Sequence, residues 1–225
     1  MKYLFYFIHP AKFHSFKRTI NYLKTRGHDV DVFINSKDIL EELIKEEGWD
    51  YKNLFPKGRR IKGLHTYLNA AVNSFVTVYR LLKNIHGKRY DLFITDDLLT
   101  IVGRIRRTPS IFFTDDDISA VPESVLLIST TNYVLAPSVS NMGRYEFKKI
   151  GYEGYKSLAH LHPNTFIPQK NKIDISIDQS KPIFFIRTVL ATSTHDVGKK
   201  GLTDKILIDR SEERRVGKEC RSRWS

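Results

Sequence analysis

Short apolar blocks separated by polar turns recur along most of this chain, and their spacing alternates between the period of a strand and that of a helix. KYLFYF near the N-terminus is a continuous apolar run and predicts a buried strand. Phe13, Phe16, Ile20 and Leu23 then recur at helical spacing, and Gly27 in RGHDV supplies a left-handed cap at the helix end. Val30, Val32 and Ile34 are β-branched and alternate, which predicts a second strand over 29–34. Ser36 or Asp38 caps a helix that runs through Glu47 and stops at Gly48. A short third strand over 51–55 and a basic, turn-rich loop over 56–63 follow. The spacing next predicts a long helix over 65–85, with Leu68, Val72, Phe75, Val76, Tyr79 and Leu82 on one apolar stripe. Tyr67, Phe75 and Tyr79 on that helix are read as core.

Three further strands are predicted over 91–95, 110–114 and 133–136. They end respectively in Asp96 and Asp97, in Asp115, Asp116 and Asp117, and in Pro137 and Ser138, and each is followed by a helix-length segment. Strands alternating with helices at this spacing predict an α/β fold: a Rossmann-like doubly wound parallel sheet with right-handed crossovers, over 1–154. From 155 the periodicity fades and three prolines appear, which predicts an interdomain crossover over 155–182. A new apolar strand at 183–188, a polar turn and the start of a helix then look like the opening of a second α/β domain over 183–209, cut short.

Composition narrows the function classes. With 225 residues, 41% hydrophobic and 28% charged, the chain suits a soluble protein of one or two domains. It holds no apolar run near the roughly 18 residues that span a bilayer and no secretory signal pattern, so the expected location is cytoplasmic. The single cysteine, Cys220, excludes an internal disulfide framework and a cysteine-based zinc site. A net charge of +12 raises nucleic acid or an anionic membrane as partners. Residues 210–225, RSEERRVGKECRSRWS, however, resemble the translation of a sequencing adapter; their six Arg or Lys and three Glu account for +3, leaving +9. The remaining charge is spread through the helices, as on a solvated face. A small anionic substrate is therefore expected rather than nucleic acid.

In parallel α/β sheets the loops at the carboxyl ends of the strands face the ligand crevice, so polar groups there are the first candidates. His9 and His14 lie on the first such loop and the first helical turn. His14 is read as a general base or phosphate donor, and His9 leans toward a structural cap. No G-x-G-x-x-G accompanies them, which argues against dinucleotide binding. Asp115, Asp116 and Asp117 either touch ligand, one of them holding a proton, or divide into a helix cap and solvated acids. Asp96 and Asp97 invite the same two readings, with the cap favoured. Lys156, His160 and His162 lie in the crossover, where two histidines alone make a poor metal site; no metal is expected. Arg187, His195, Asp196 and Gly198 follow the last predicted strand and suit contacts to phosphate, or form an ordinary polar loop. Arg104, Arg106 and Arg107 are read as closing a helix C-terminus, where cations are favoured.

HPAKFHSFK at 9–17, RGHDV at 26–30, TPSIFFTDDD at 108–117, GYKSLAHLHP at 154–163 and IRTV followed by THDVGKKG at 186–201 together resemble the domain of unknown function family 354 (DUF354). That family is similar in architecture to glycosyltransferases of the GT-B fold and to UDP-N-acetylglucosamine 2-epimerases. The resemblance implies two Rossmann-like domains around a cleft, with a nucleotide-sugar such as a UDP-sugar as substrate and no separate cofactor. It implies a glycosyltransferase of glycan or cell-surface polysaccharide biosynthesis, acting on a sugar or lipid-linked acceptor, with peripheral membrane contact. His14 would be the base, Asp115 or Asp116 would orient sugar or acceptor, and Arg187 with His195 would stabilise the leaving group. A 2-epimerase is the alternative on the same substrates, and a non-catalytic binding or regulatory module the alternative of another class.

Overall fold

A computed structural model of the chain describes residues 1–35, 39–56, 66–164, 166–168 and 206. Met1–Pro168 form one compact unit, and the other unit is Gln169–Ser225. The first unit carries a sheet of seven strands: β1 (Lys2–Phe7), β2 (Asp29–Ile34), β3 (Lys52–Asn53), β4 (Leu92–Thr95), β5 (Ser110–Phe113), β6 (Tyr133–Pro137) and β7 (Lys149–Tyr152). Every pairing is parallel, and the order is β3-β2-β1-β4-β5-β6-β7. This is the α/β, Rossmann-like doubly wound arrangement that the alternating pattern predicts. The helices are α1 (Pro10–Thr25), α2 (Leu40–Glu46), α3 (Thr66–Asn84), α4 (Leu99–Arg106), α5 (Val125–Thr130) and α6 (Leu158–Leu161).

β1 is central because both of its faces are apolar. Phe5 and Phe7 pack with Phe13, Phe16 and Ile20 of α1 and Leu40 and Ile44 of α2. Leu4 and Tyr6 point the other way, into a second core with Leu81 of α3 and Leu99 and Val102 of α4. Burial of each such side chain contributes about 1.5–3 kcal/mol, which makes β1 the strand least able to slip. Gly27, at φ 76°, ends α1 in the left-handed conformation that its sequence position predicts.

Two local expectations are corrected. The stretch after β6 is a 3-10 turn (Gly143–Lys148) leading into β7, where a helix-length segment was predicted. KIGY carries too little alternation to announce a strand; pairing with β6 makes it one. On α3 the buried face is rotated by one position from the predicted stripe. Asn69, Thr77 and Leu81 are buried, whereas Leu68, Phe75 and Tyr79 are 54%, 76% and 59% exposed, so Phe75 and Tyr79 are not core. The polar inner residues are tolerated because Asn73 donates to Asn69 (2.5 Å) and Thr77 to the Asn73 carbonyl (2.6 Å).

Candidate functional site at the carboxyl edge

The order reverses direction at β1 and β4: the chain leaves β1 toward β2 on one side and leaves β4 toward β5 on the other. Such a switch point opens a crevice at the carboxyl ends of the strands. His9, at the end of β1, is the N-cap of α1, and its Nδ1 accepts the Ala11 N–H at 3.2 Å. This is the structural role that its position suggested. Pro10 then occupies the first helical turn, where its missing N–H costs nothing.

Lys12 follows, and the sequence reading passed over it. It shares the spacing of Phe16 and Ile20, four and eight residues on, and so falls on the buried face of α1. A lysine on a core stripe needs a partner. Its Nζ lies 3.7 Å from Asp96 Oδ2, 3.5 Å from the Phe113 carbonyl and 4.8 Å from the centre of the Phe113 ring. Asp96 ends β4 with its side chain only 14% exposed. Burial pushes its carboxyl above the usual range, and Lys12, its own backbone N–H and Lys156 offset only part of that. Asp97 does not cap α4, whose N-cap is Leu98 with no side-chain bond to the helix; its Oδ1 accepts the Leu98 N–H at 2.6 Å, so the capping role that its position suggested is not taken.

The three aspartates after β5 separate in the same way. Asp115 accepts a 2.6 Å bond from Lys156 Nζ, and this pair is partly buried. Asp117 accepts the Asn141 N–H at 2.7 Å and holds the loop after β6. Asp116 is exposed, and its carboxylate has no hydrogen bond or ion pair among the described residues. Beyond Lys156, α6 packs against α1 and places the His160 ring 5.1 Å from that of His14. Burial, His160 and Lys17 together hold the His14 imidazole below its ordinary pKa. His162 lies outside this contact and accepts the Asn164 N–H at 3.2 Å.

Tyr152, the last residue of β7, is the second group that the sequence did not reveal. Its ring stacks on Phe113 at 6.2 Å, and burial together with the Asp115 charge pushes its hydroxyl up to about 12. Asp96 Oδ1, Tyr152 Oη and His160 Nδ1 are all buried and have no hydrogen-bond partner among the described residues. Polar atoms left unpaired in a protein interior are uncommon, and they concentrate where a ligand or water completes the bonding. Here Asp96 and Tyr152 belong to one set with Lys12, Lys156 and Asp115, whose charges act on them, and His160 stacks on His14 where α6 meets α1. These groups can hold hydroxyl or phosphate oxygens and can take up a proton at a neutral imidazole. Among the described residues no three His, Cys, Asp or Glu side chains form a group able to hold a metal. Arg187, His195, Asp196 and Gly198 lie outside the described residues. No described helix is long and apolar enough to cross a membrane.

No protein-family model matches the sequence, and no curated protein matches it. Among solved structures, the fold is similar to Acinetobacter baumannii MurG, with a TM-score of 0.50 and 12% identity over 68% of this chain and 46% of that one. It is similar to S. aureus MnaA in a co-structure with UDP, at TM-score 0.50 and 13% identity over 71% of this chain and 45% of that one. The UDP-GlcNAc 2-epimerase of Neisseria meningitidis bound to UDP-GlcNAc aligns at TM-score 0.47 and 14% identity, over 62% and 41%. The chain thus spans less than half the length of each of these structures. At such identities the likeness is one of fold: the Rossmann-like sheet described above is an architecture shared with MurG and MnaA.

Proposed function

We propose that this chain provides the acceptor side of a nucleotide-sugar-dependent enzyme, a glycosyltransferase-like protein of glycan or surface polysaccharide synthesis. The observation behind the reading is the carboxyl-edge cluster, with three unpaired buried polar atoms, the one on Asp96 lying at the switch point of a parallel sheet. In the proposed step an acceptor hydroxyl transfers its proton to His14 while its oxygen bonds to the anomeric carbon. The bond from that carbon to the diphosphate breaks, and the diphosphate leaves with the electron pair. A lowered pKa keeps the imidazole unprotonated near neutral pH and so ready to act as base. Asp115, held by Lys156, orients the acceptor, and exposed Asp116 beside it is open to the donor's sugar. Arg187, His195, Asp196 and Gly198 are assigned to the leaving diphosphate, where positive charge and N–H donors stabilise the developing anion.

The test is UDP-sugar titration by calorimetry followed by turnover of UDP-GlcNAc. His14→Ala should keep UDP-sugar binding and lose about 10²- to 10⁴-fold in rate, the usual contribution of a general base. An unchanged rate would remove His14 from the mechanism, and absence of UDP-sugar binding would remove the whole reading. Turnover in deuterium oxide separates the two reactions on this substrate. Solvent deuterium at the sugar's second carbon assigns a 2-epimerase, which exchanges that proton while UDP is eliminated and re-added.

A further inference from the structure

The amino edge of the sheet, opposite the site above, carries a cavity of about 590 Å³ between the C-terminal ends of α4 and α5 and the 3-10 turn before β7. Its lining includes Arg104, Arg107 and Lys148 and no Asp or Glu. Cations at helix C-termini are common because they complement the exposed carbonyls, and of the three that line this cavity only Lys148 does so. Lys148 Nζ donates to the carbonyls of Ile128, Ser129 and Thr131 at 3.0, 2.9 and 2.7 Å, and Arg106 donates to the Lys88 carbonyl at 3.5 Å. Arg104 and Arg107 are exposed and have no such bond, nor an ion pair, among the described residues.

The pocket therefore gathers positive charge beyond what its helix ends use. Burial and, to a lesser extent, the Arg104 charge push the Lys148 ammonium down. Neutral donors accompany the cations. Asn132 uses its side-chain oxygen to accept the Ser110 N–H at 3.1 Å, and its amide hydrogens have no partner among the described residues. Phe147 at the rim is 81% exposed and offers a flat face. Arg107 is also the only described residue other than glycine with a positive φ, 55°. An arginine stands where α4 ends in a left-handed turn, a place that glycine fills at lower cost.

We propose that this cavity binds a small phosphorylated ligand, its phosphate bridged by the Arg104 and Arg107 guanidiniums with the Asn132 amide beside them. Guanidinium forks match phosphate oxygens in pairs, and charge-assisted bonds of this kind are about twice as strong as neutral ones. The site is separate from the carboxyl-edge cluster, and its occupancy does not depend on the reaction proposed there.

Calorimetric titration of the full chain with pyrophosphate tests it, beside UMP and glucose 1-phosphate. The wild type should bind pyrophosphate, and Arg104→Gln/Arg107→Gln should weaken it at least tenfold with an unchanged far-UV dichroism spectrum. Arg18→Gln/Arg89→Gln removes the same charge from exposed positions elsewhere and should leave affinity within about twofold. No binding by the wild type at millimolar pyrophosphate overturns the proposal, as does equal weakening in both double variants. Phe147→Ala separates the ligand sources. Loss confined to UMP assigns a nucleoside phosphate, and equal retention of UMP and glucose 1-phosphate assigns recognition by phosphate alone.

Discussion

The two edges of the sheet use the same side chains to opposite ends. At the amino edge Asp31 accepts the Tyr90 hydroxyl and is flanked by Lys88 at 3.3 Å and Lys2 at 3.7 Å. Burial pushes this carboxylate up, but Tyr90, Lys88 and Lys2 outweigh it and hold it below its ordinary value. At the carboxyl edge Asp96 meets one lysine at 3.7 Å, keeps one oxygen unpaired and is pushed upward. Tyr90 donates to a carboxylate, and Tyr152 donates to nothing among the described residues. Lysine, aspartate and tyrosine thus form a closed, satisfied cluster at one edge and an open one at the other. What separates a structural network from a candidate site here is which atoms lack partners.

The comparison breaks most visibly at Lys12. Lys12→Met should cost about 3 kcal/mol at pH 7, because it strands a buried carboxylate, and should cost far less near pH 4. Asp96 has a raised folded-state pKa, so its favourable contribution is complete at low pH and fades as pH rises through that pKa; losing Lys12 deepens the fade. Urea unfolding at the two pH values checks this, and an equal loss at both would free Asp96 from the explanation.

Tyr90→Phe at the opposite edge should cost about 1–2 kcal/mol at neutral pH, as for a hydrogen bond to a charged group. The sign of its pH dependence is reversed. Asp31 has a lowered folded-state pKa, so its contribution is present above the ordinary carboxylate value and is lost as pH falls through the folded one. The cost of Tyr90→Phe should therefore shrink on acidification, read from thermal midpoints across pH 2 to 7.

Tyr152→Phe should have the smallest effect, within about 0.5 kcal/mol of wild type or slightly stabilising, because it removes a buried hydroxyl that has no partner to lose. A loss as large as that of Tyr90→Phe would show that this hydroxyl is bonded in solution and that the edges are alike.

The strands that frame both edges were legible because their signals are local. Continuous apolar runs in β1 and β4 and alternation in β2 survive any tertiary context. So did the carboxyl-edge position of His14, Asp96 and Asp115, since a parallel sheet dictates which loop faces the crevice. The rest depended on contacts. That Asp96 turns inward while Asp97 bonds the Leu98 N–H is decided by Lys12 and the local backbone, not by anything in the pair itself. Tyr152 acquires meaning only when β7 pairs with β6. Lys12 was readable in principle, as a charge on the stripe shared by Phe16 and Ile20. The α3 stripe misled because the helix buries hydrogen-bonded Asn69 and Thr77 and leaves Phe75 in solvent, an inversion that a hydrophobicity rule cannot foresee.

Arg107 gives stability and binding opposing preferences at one residue. A left-handed backbone costs a non-glycine residue roughly 1 kcal/mol, so glycine at this position would relax the end of α4 while deleting half of the guanidinium pair beside the cavity. Any effort to make the protein more heat-resistant by idealising its helix ends would arrive at this residue early. The variant it selected would be hardier and, at the amino edge, deaf to phosphate.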